Sequence, residues 1–422
     1  MRNLVLSIIF LLSLSQSCFA VANFTVTVNK TGEDYNTVAL AEDALDLAAS
    51  LTDGTVKCGS WDVCTLGSCT ASDFTDGEAV TWDATLSSGT LIHLTGTQYC
   101  IDVAVGTIDD NDLVTDVGGL NIFQVNGATD SCSFIVDVYD DDGNLTAGTT
   151  IDGLTTGTSN TITYQCASGE RHNGISGGCS IVATSDINIF VMLDRNVWIS
   201  WFNIKSNMNS TNNRTLIRND MDNGVIDHNL LHDSTNAGTG IVRAIQTTDG
   251  GTDTDNDTDI LDNIIHTIEN DCIELVTGSG SGYVYNVDNN SLYNCGGLGI
   301  DLTGTTGTHV AKNNTSIGNG GGDYDTGFDT FTTNGSGDTT GDPVGLEGLV
   351  STTEWVSVTA GSEDLHLKSG ATSIDACTDL VTTPSLVQFD IDNYDRDAGG
   401  VTWDCGADEL TASSRNRFRM IN

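Results

Sequence analysis

The chain has 422 residues, 47 of them Gly and only 2 Pro, and it carries a formal net charge of −43 with 15 Lys plus Arg. This charge excludes nucleic acid as a partner, because phosphate binding needs clustered cations. The length favours several domains or one solenoid, and the abundance of Gly, Asp, Asn and Thr is typical of short strands joined by many turns.

The N-terminus has the pattern of a secretory signal. Arg2 precedes an apolar run from Leu4 to Leu14 that is too short to span a bilayer, and the sequence "AVA" ends at Ala22. Residues 1–22 are therefore predicted to be a cleaved signal peptide, so we expect a secreted or cell-surface protein. A lipid-anchored start at Cys18 is the alternative. No later stretch is apolar enough for a membrane span.

Residues 23–59 are predicted to form an N-terminal strand and a capping helix. Within them, the segment from Thr31 to Ser50 has apolar residues at helical spacing, at Val38, Ala41, Leu45 and Ala48. Such a helix would cover the open end of a solenoid, whose strand edges would otherwise invite aggregation. The phrase "GEDYNTVALA" resembles the opening of pectin-esterase-like β-helix proteins.

Residues 60–180 are predicted to be Cys-containing β coils. The chain has 12 Cys, which suits disulfides in an oxidising compartment, and their spacing does not match a zinc site. Cys166 with Cys179, and Cys377 with Cys405, are predicted as local pairs. Because one Cys lies in the predicted signal, an odd number remains and one thiol has no predicted partner.

The central region, residues 181–345, contains a repeat. The phrases "VIDHNLLHD", "ILDNIIHTI", "NVDNNSLYN" and "VAKNNTSIG" align on a shared asparagine, found at Asn229, Asn263, Asn290 and Asn314. A second phrase recurs as "DCIEL", "LGIDL" and "TGFDT", and it aligns Ile273, Ile300 and Phe328 at a nearly constant spacing. Two strand phrases therefore recur in step.

Units as short as the segment from Asn263 to Asn290, with Gly and Asn at the corners, leave no room for a crossover helix and close as coils of a parallel β-helix. The asparagines are expected to stack at a corner and satisfy backbone groups that the turn leaves unpaired. We therefore predict an all-β, right-handed parallel β-helix over about residues 60–360. Leucine-rich repeats have a similar length, but their signature is absent.

The repeat also predicts a row of acids. If Ile273, Ile300 and Phe328 point inward, the next residues point outward and stack on successive coils, namely Glu274, Asp301 and Asp329. Adjacent carboxylates repel by about 1 kcal/mol in water. The row is expected to bind a cation such as Ca²⁺ or to hold a proton. The alternative is an exposed row that water and salt tolerate.

The stretch "NDCIELVTGSG" resembles the strand that carries the catalytic acids in polygalacturonases, and Cys272 with the later Cys295 matches the cysteines of that family. The match keeps Asp271, but Asn270 stands where the family has Asp and Leu298 where it has His. The preceding coil, "TGIVRAIQ", has no acid. Inverting hydrolysis needs two carboxyl groups about 6.5–9.5 Å apart, so these departures weigh against that activity.

A lyase would need a base, and Arg243 and Lys205 are the candidates. The phrase "VIDHN" resembles a pectate-lyase strand without its Trp, and its His228 lies on the same strand face as His232. Ordinary turn or surface histidines are the simpler interpretation.

The stretch "DGGTDTDNDTD" places acids at alternate positions of a predicted loop, at Asp253, Asp255, Asp257 and Asp259. Alternating oxygen ligands suit Ca²⁺, although the EF-hand Gly and closing Glu are absent. An unstructured acidic insertion is the alternative.

Residues 346–410 are predicted to be a C-terminal closing segment, followed by a basic tail at 411–422. The phrases "EDLHLKSGATSIDACTDL" and "DIDNYDRDAGGVTWDCGADEL" resemble the closing segment of secreted β-helix proteins of the choice-of-anchor-Q type, with small departures at Asn393, Cys377 and Cys405. The resemblance implies an architecture and no particular activity, because that family is functionally mixed.

Long flat sheets suit extended polymers, so extracellular polysaccharide or surface glycan is the expected partner by analogy of fold. The leading prediction is a non-catalytic binding protein stabilised by calcium. The alternative is a polysaccharide lyase or glycoside hydrolase acting on an acidic polymer such as pectin or alginate, with Arg243, Asp271, Glu274, Asp301 and Asp329 as its catalytic residues. The sequence leaves the oligomeric state open.

Overall fold

A computed structural model describes most of the chain between residues 22 and 410. The described residues are 22–28, 56–62, 74, 77–82, 87–94, 98–108, 112–116, 118–119, 121–129, 132–140, 148–153, 156–157, 160–221, 223–248, 256–276, 282–304, 306–341, 346–380, 385–397 and 402–410. Residues 1–21 of the predicted signal peptide lie outside them, as do the helix predicted at Thr31 to Ser50, Asp253, Asp255 and the basic tail.

The described strands build a parallel β-helix with three sheets. The first sheet contains, in spatial order, β1 (Ala22–Val28), β8 (Cys132–Val138), β10 (Ile162–Cys166), β13 (Val197–Ser200), β16 (Val225–Asp227), β19 (Asn256–Leu261), β22 (Tyr283–Asp288), β25 (Thr308–Lys312) and β28 (Thr330–Thr332). The second contains β11 (Ser180–Ala183), β14 (Asn203–Met208), β17 (Leu230–Asn236), β20 (Ile264–Ile268), β23 (Ser291–Tyr293), β26 (Thr315–Ile317) and β29 (Gly335–Ser336). The third contains β9 (Thr149–Ile151), β12 (Phe190–Met192), β15 (Arg214–Asn219), β18 (Val242–Thr247), β21 (Ile273–Val276), β24 (Leu298–Thr303) and β27 (Gly322–Tyr324).

The chain visits the first, second and third sheets in turn, and the strands from β10 to β27 make six complete coils. Each strand pairs in parallel with its equivalent on the next coil, as in the register of Ile273 with Ile300. Inward side chains from all three sheets, such as Ile260, Ile265 and Ile273, form one continuous apolar core. The prediction of an all-β parallel solenoid is therefore confirmed.

The predicted asparagine stack is confirmed and continues to Asn334. The side-chain amide of each asparagine donates to the Oδ1 of the next, over 3.1 Å from Asn229 to Asn263 and 3.0 Å from Asn263 to Asn290. Each Nδ2 also donates to a carbonyl of the first-sheet strand on the preceding coil, as Asn263 does to Ile226 over 2.9 Å. The ladder thus satisfies backbone groups at the corner between the first and second sheets.

An antiparallel barrel stands where the sequence predicted the first coils. It closes in the order β2 (Val56–Asp62), β5 (Gln98–Val105), β4 (Ser87–Leu94), β3 (Ala79–Trp82), β6 (Leu113–Asp116) and β7 (Ile122–Thr129). The barrel has its own core around Trp82 and Phe123. Short strands with many turns serve a barrel as well as a coil, so composition did not distinguish the two.

The barrel is inserted between β1 and β8, which pair with each other as the first strands of the solenoid. Val56, Cys58 and Cys100 of the barrel join the solenoid core beside Phe134 and Val136. The barrel thus covers core residues of the first coils, which is the role that the sequence assigned to a helix.

The C-terminal segment lies along the side of the solenoid. It contains a one-turn helix (Ser351–Glu354), the antiparallel strands β30 (Trp355–Thr359) and β31 (Ser362–Leu367), and a 3₁₀ helix (Ser385–Gln388). Its apolar residues pack on the outer face of the second sheet, where Leu230 and Ile264 meet Trp355, Leu365 and Leu367.

Four disulfides join described residues. Cys166–Cys179 and Cys377–Cys405 confirm the predicted local pairs, and Cys272–Cys295 joins the two cysteines of the polygalacturonase-like phrases. Cys58–Cys100 lies in the barrel. Disulfides are compatible with an extracellular protein.

Candidate functional site

The outer face of the third sheet carries a continuous ladder of aligned residues. Strand register places Glu274 beside Gln246 on one side and beside Asp301 on the other. The complete ladder is Thr150, Val191, Arg218, Gln246, Glu274 and Asp301. At about 4.8 Å per coil its five steps span about 24 Å.

Four of the five predicted catalytic residues meet on this face. The Nε of Arg243 lies 2.8 Å from Oε2 of Glu274 and 3.4 Å from Oδ2 of Asp271. One carboxylate oxygen from each of Asp271, Glu274 and Asp301 lies within 4.8 Å of the other two. Three carboxyl groups and one guanidinium group therefore form a single cluster.

Asp329 does not belong to this cluster. The inward partner of Ile300 on the next coil is Tyr324, which comes earlier in the chain than the expected Phe328. Asp329 instead precedes β28 of the first sheet, where its Oδ2 accepts the backbone N–H of His309 over 2.9 Å. The last coil is shorter than the repeat implied, so Asp325 follows Asp301 in sequence register.

Hydrogen bonds hold Asp271 and Glu274 in place. Oδ1 of Asp271 accepts the backbone N–H of Leu298 over 2.9 Å, and its Oδ2 accepts the Asn270 amide over 2.6 Å. Oε2 of Glu274 accepts the amide of Gln246 in addition to its Arg243 contact. Asp271 is therefore held by the side-chain amide of Asn270 and the backbone N–H of Leu298, two residues that replace an acid and a His of the polygalacturonase pattern.

Burial raises the pKa of Glu274, and Asp271 and Asp301 raise it further, while Arg243 opposes the shift. Burial likewise raises the pKa of Asp301, with Asp271 as the next cause. Both carboxyl groups therefore hold a proton more readily than a solvated acid does.

A cleft of about 300 Å³ lies at the other end of the ladder, beside Thr150 and Val191. Asp186 and Arg214 line it and pair over 2.5 Å. This pairing, followed by the hydrogen bond from Ser210, lowers the pKa of Asp186 to about 2. Sequence reasoning missed the cleft, because Asp186 lies in a turn outside the repeated phrases.

The remaining candidates lie on other faces. Lys205 is on the second sheet, and His228 is buried beneath the C-terminal segment, where its Nε2 lies 3.1 Å from the carbonyl oxygen of Phe389. Asp257 and Asp259 belong to strand β19 of the first sheet rather than to a loop. Burial raises the pKa of Asp259 to about 6, and its Oδ1 accepts the Asn286 amide over 2.8 Å.

Comparison of this chain with protein-family models, with curated proteins and with solved structures finds no match. The three-sheet solenoid is compatible with the parallel β-helix superfamily. Among the described residues, no helix is long and apolar enough to cross a bilayer.

Proposed function

We propose that the protein binds an extended glycan along the outer face of the third sheet without cleaving it. The observation that carries this proposal is the ladder from Thr150 to Asp301, which presents a polar side chain on five of its six positions. Aligned carboxylates, amides and guanidinium groups offer donors and acceptors that match sugar hydroxyls.

The charge of the face limits the choice of glycan. Asp271, Glu274 and Asp301 carry three acids against the single Arg243 in their cluster. Neutral glycans are therefore the preferred class, because an acidic polymer would be repelled. An acidic polysaccharide would need a bridging cation such as Ca²⁺, which the carboxylate oxygens could help to coordinate.

Binding without cleavage is favoured because the carboxylate oxygens of Asp271 and Glu274 already accept hydrogen bonds within the protein. Each is held by Arg243 and by an amide, from Asn270 or from Gln246. A nucleophile or base fixed in this way would have to give up hydrogen bonds in order to react.

The test measures binding of the full-length protein to neutral and acidic polysaccharides, with calcium or with a chelator. Gln246→Ala and Asp301→Ala should each weaken binding about tenfold, which corresponds to about 1.4 kcal/mol. Asp257→Ala, an exposed aspartate of the first sheet, is the matched control and should leave binding unchanged. Absence of binding, or equal affinity in all three variants, would refute the proposal.

Glycoside hydrolysis is the second candidate, and the raised pKa values of the neighbouring Glu274 and Asp301 carboxyl groups favour it. Their separation, within 4.8 Å, is closer to the roughly 5–5.5 Å of retaining enzymes than to the wider spacing of inverting ones. Release of reducing ends that Asp301→Asn abolishes would support this candidate. Unsaturated ends would instead indicate a lyase with Arg243 as its base.

A further inference from the structure

A buried glutamate interrupts the apolar side of β31. The buried residues of this strand alternate as Glu363, Leu365 and Leu367, and the two leucines pack against Leu230 and Ile264 of the second sheet. Glu363 occupies a position where the pattern calls for an apolar residue, and it is only 5% exposed. Within the described residues it has no Lys or Arg at ion-pair distance.

The solenoid places metal-ligating groups opposite this glutamate. His266 of β20 is 4% exposed, and the exposed Asp233 lies within β17 of the preceding coil, next to His232. One ligand atom from each of Asp233, His266 and Glu363 lies within 4.8 Å of the other two. The Thr267 hydroxyl bridges the site, since it lies 3.3 Å from Nδ1 of His266 and donates to Glu363 over 3.2 Å.

We propose that Asp233, His266 and Glu363 bind one Zn²⁺ ion that fastens β31 to the solenoid. A buried carboxylate is costly unless it is paired or coordinates a metal, and a divalent cation would compensate Glu363. One imidazole with two carboxylates suits zinc, with water as the fourth ligand, whereas calcium prefers oxygen ligands alone.

The geometry needs only a small adjustment. The centre of a triangle with 4.8 Å sides lies about 2.8 Å from each corner, so shifts of under about 1 Å bring the ligands to the 2.0–2.2 Å of zinc bonds.

The test titrates the metal-free full-length protein with zinc chloride and follows both binding and the melting temperature. Wild-type protein should bind zinc at this site and melt at a higher temperature with zinc than without it. Glu363→Gln keeps an acceptor for Thr267 but removes the charge, so zinc affinity should fall at least about tenfold. His309→Gln, which removes another buried imidazole from the first sheet, should leave zinc affinity unchanged.

Glu363→Leu separates metal binding from folding. It completes the apolar side of β31, so this variant should fold without zinc and lose the zinc-dependent rise in melting temperature. The proposal would be overturned if zinc left the wild-type melting temperature unchanged, if both Glu363 variants kept the wild-type response, or if calcium raised stability and zinc did not. None of these readouts depends on glycan binding.

Discussion

The second and third sheets belong to the same coils, yet their outer faces differ. Outward residues of the second sheet include Leu230 and Ile264, which are fully buried beneath the C-terminal segment. Outward residues of the third sheet include Gln246 and Asp301, which remain partly exposed. Strand alternation is common to both faces, so an outward apolar residue in this solenoid indicates a covering segment and an outward polar residue indicates an open face.

The charge of a buried acidic side chain is compensated differently on the two faces. On the third sheet Asp271 and Glu274 are each only 6% exposed, but the guanidinium of Arg243 compensates their charges. On the covered second sheet, Glu363 is 5% exposed and has no Lys or Arg at ion-pair distance among the described residues, so its charge needs another source of compensation. We therefore propose glycan binding on the third sheet and a metal site on the second sheet.

The largest expected effect is on the covered face. Trp355 is 1% exposed and packs edge-on against Tyr293 with ring centroids 5.5 Å apart. Trp355→Ala should lower the free energy of unfolding by about 3–5 kcal/mol, through lost burial and a residual cavity. Denaturant unfolding measures this change.

Val356 is the matched control for Trp355, because it is the next residue of β30 and is 43% exposed. Val356→Ala should change the free energy of unfolding by less than about 0.5 kcal/mol. Equal effects of the two substitutions would mean that the C-terminal segment does not pack on the second sheet in solution.

A smaller effect on the free energy of unfolding is expected when pH changes the protonation of Asp288, the last residue of β22. Burial raises the pKa of Asp288 to about 7, and its Oδ1 has no hydrogen-bond partner among the residues that the structure describes. Because this folded pKa lies above the usual value, the folded state holds an extra proton between about pH 4 and pH 7. The free energy of unfolding should therefore fall as pH rises through that window.

Asp288→Asn should reduce this pH dependence, measured as the change in melting temperature between pH 5 and pH 8. General repulsion in a chain of net charge −43 acts in the same direction, so the exposed Asp257→Asn serves as a control of equal charge change. An identical pH slope in the two variants would contradict a specific contribution from Asp288.

The solenoid could be predicted because the residues that specify its coils recur at nearly regular intervals in the sequence. Asn229, Asn263, Asn290 and Asn314 recur at related corners, and the ladder that they form follows from parallel stacking alone. The same register brought Glu274 beside Asp301. Local chain proximity likewise sufficed for the Cys166–Cys179 pair.

Features that depend on non-periodic contacts could not be predicted. The barrel strands do not contain the repeated phrases of the solenoid. Similarly, nothing near Leu230 in the sequence indicates that β31 covers this residue. Asp329 was misplaced because the final coil is shorter than the one before it, so that Tyr324 pairs with Ile300. Asp233, His266 and Glu363 combine two coils with a distant hairpin, so their spacing has no motif.

Substitution of Asp301 on the open face is expected to have the smallest effect on stability and a large effect on glycan binding. Asp301 has no direct ion pair in the described structure, and it lies beside Asp271 and Glu274. Asp301→Asn should therefore leave the free energy of unfolding within about 0.5 kcal/mol of wild type, or raise it slightly, by relieving repulsion. It should still weaken glycan binding.

Glu274→Gln is the contrasting variant, because Glu274 compensates the largely buried Arg243 over 2.8 Å. Its loss should destabilise the protein, since a buried guanidinium would keep only its longer contact with Asp271. If Asp301→Asn proved as destabilising as Glu274→Gln, the charge of Asp301 would serve the fold rather than a ligand. Unchanged or higher stability of Asp301→Asn, together with weaker glycan binding, is the result expected if this face binds the glycan.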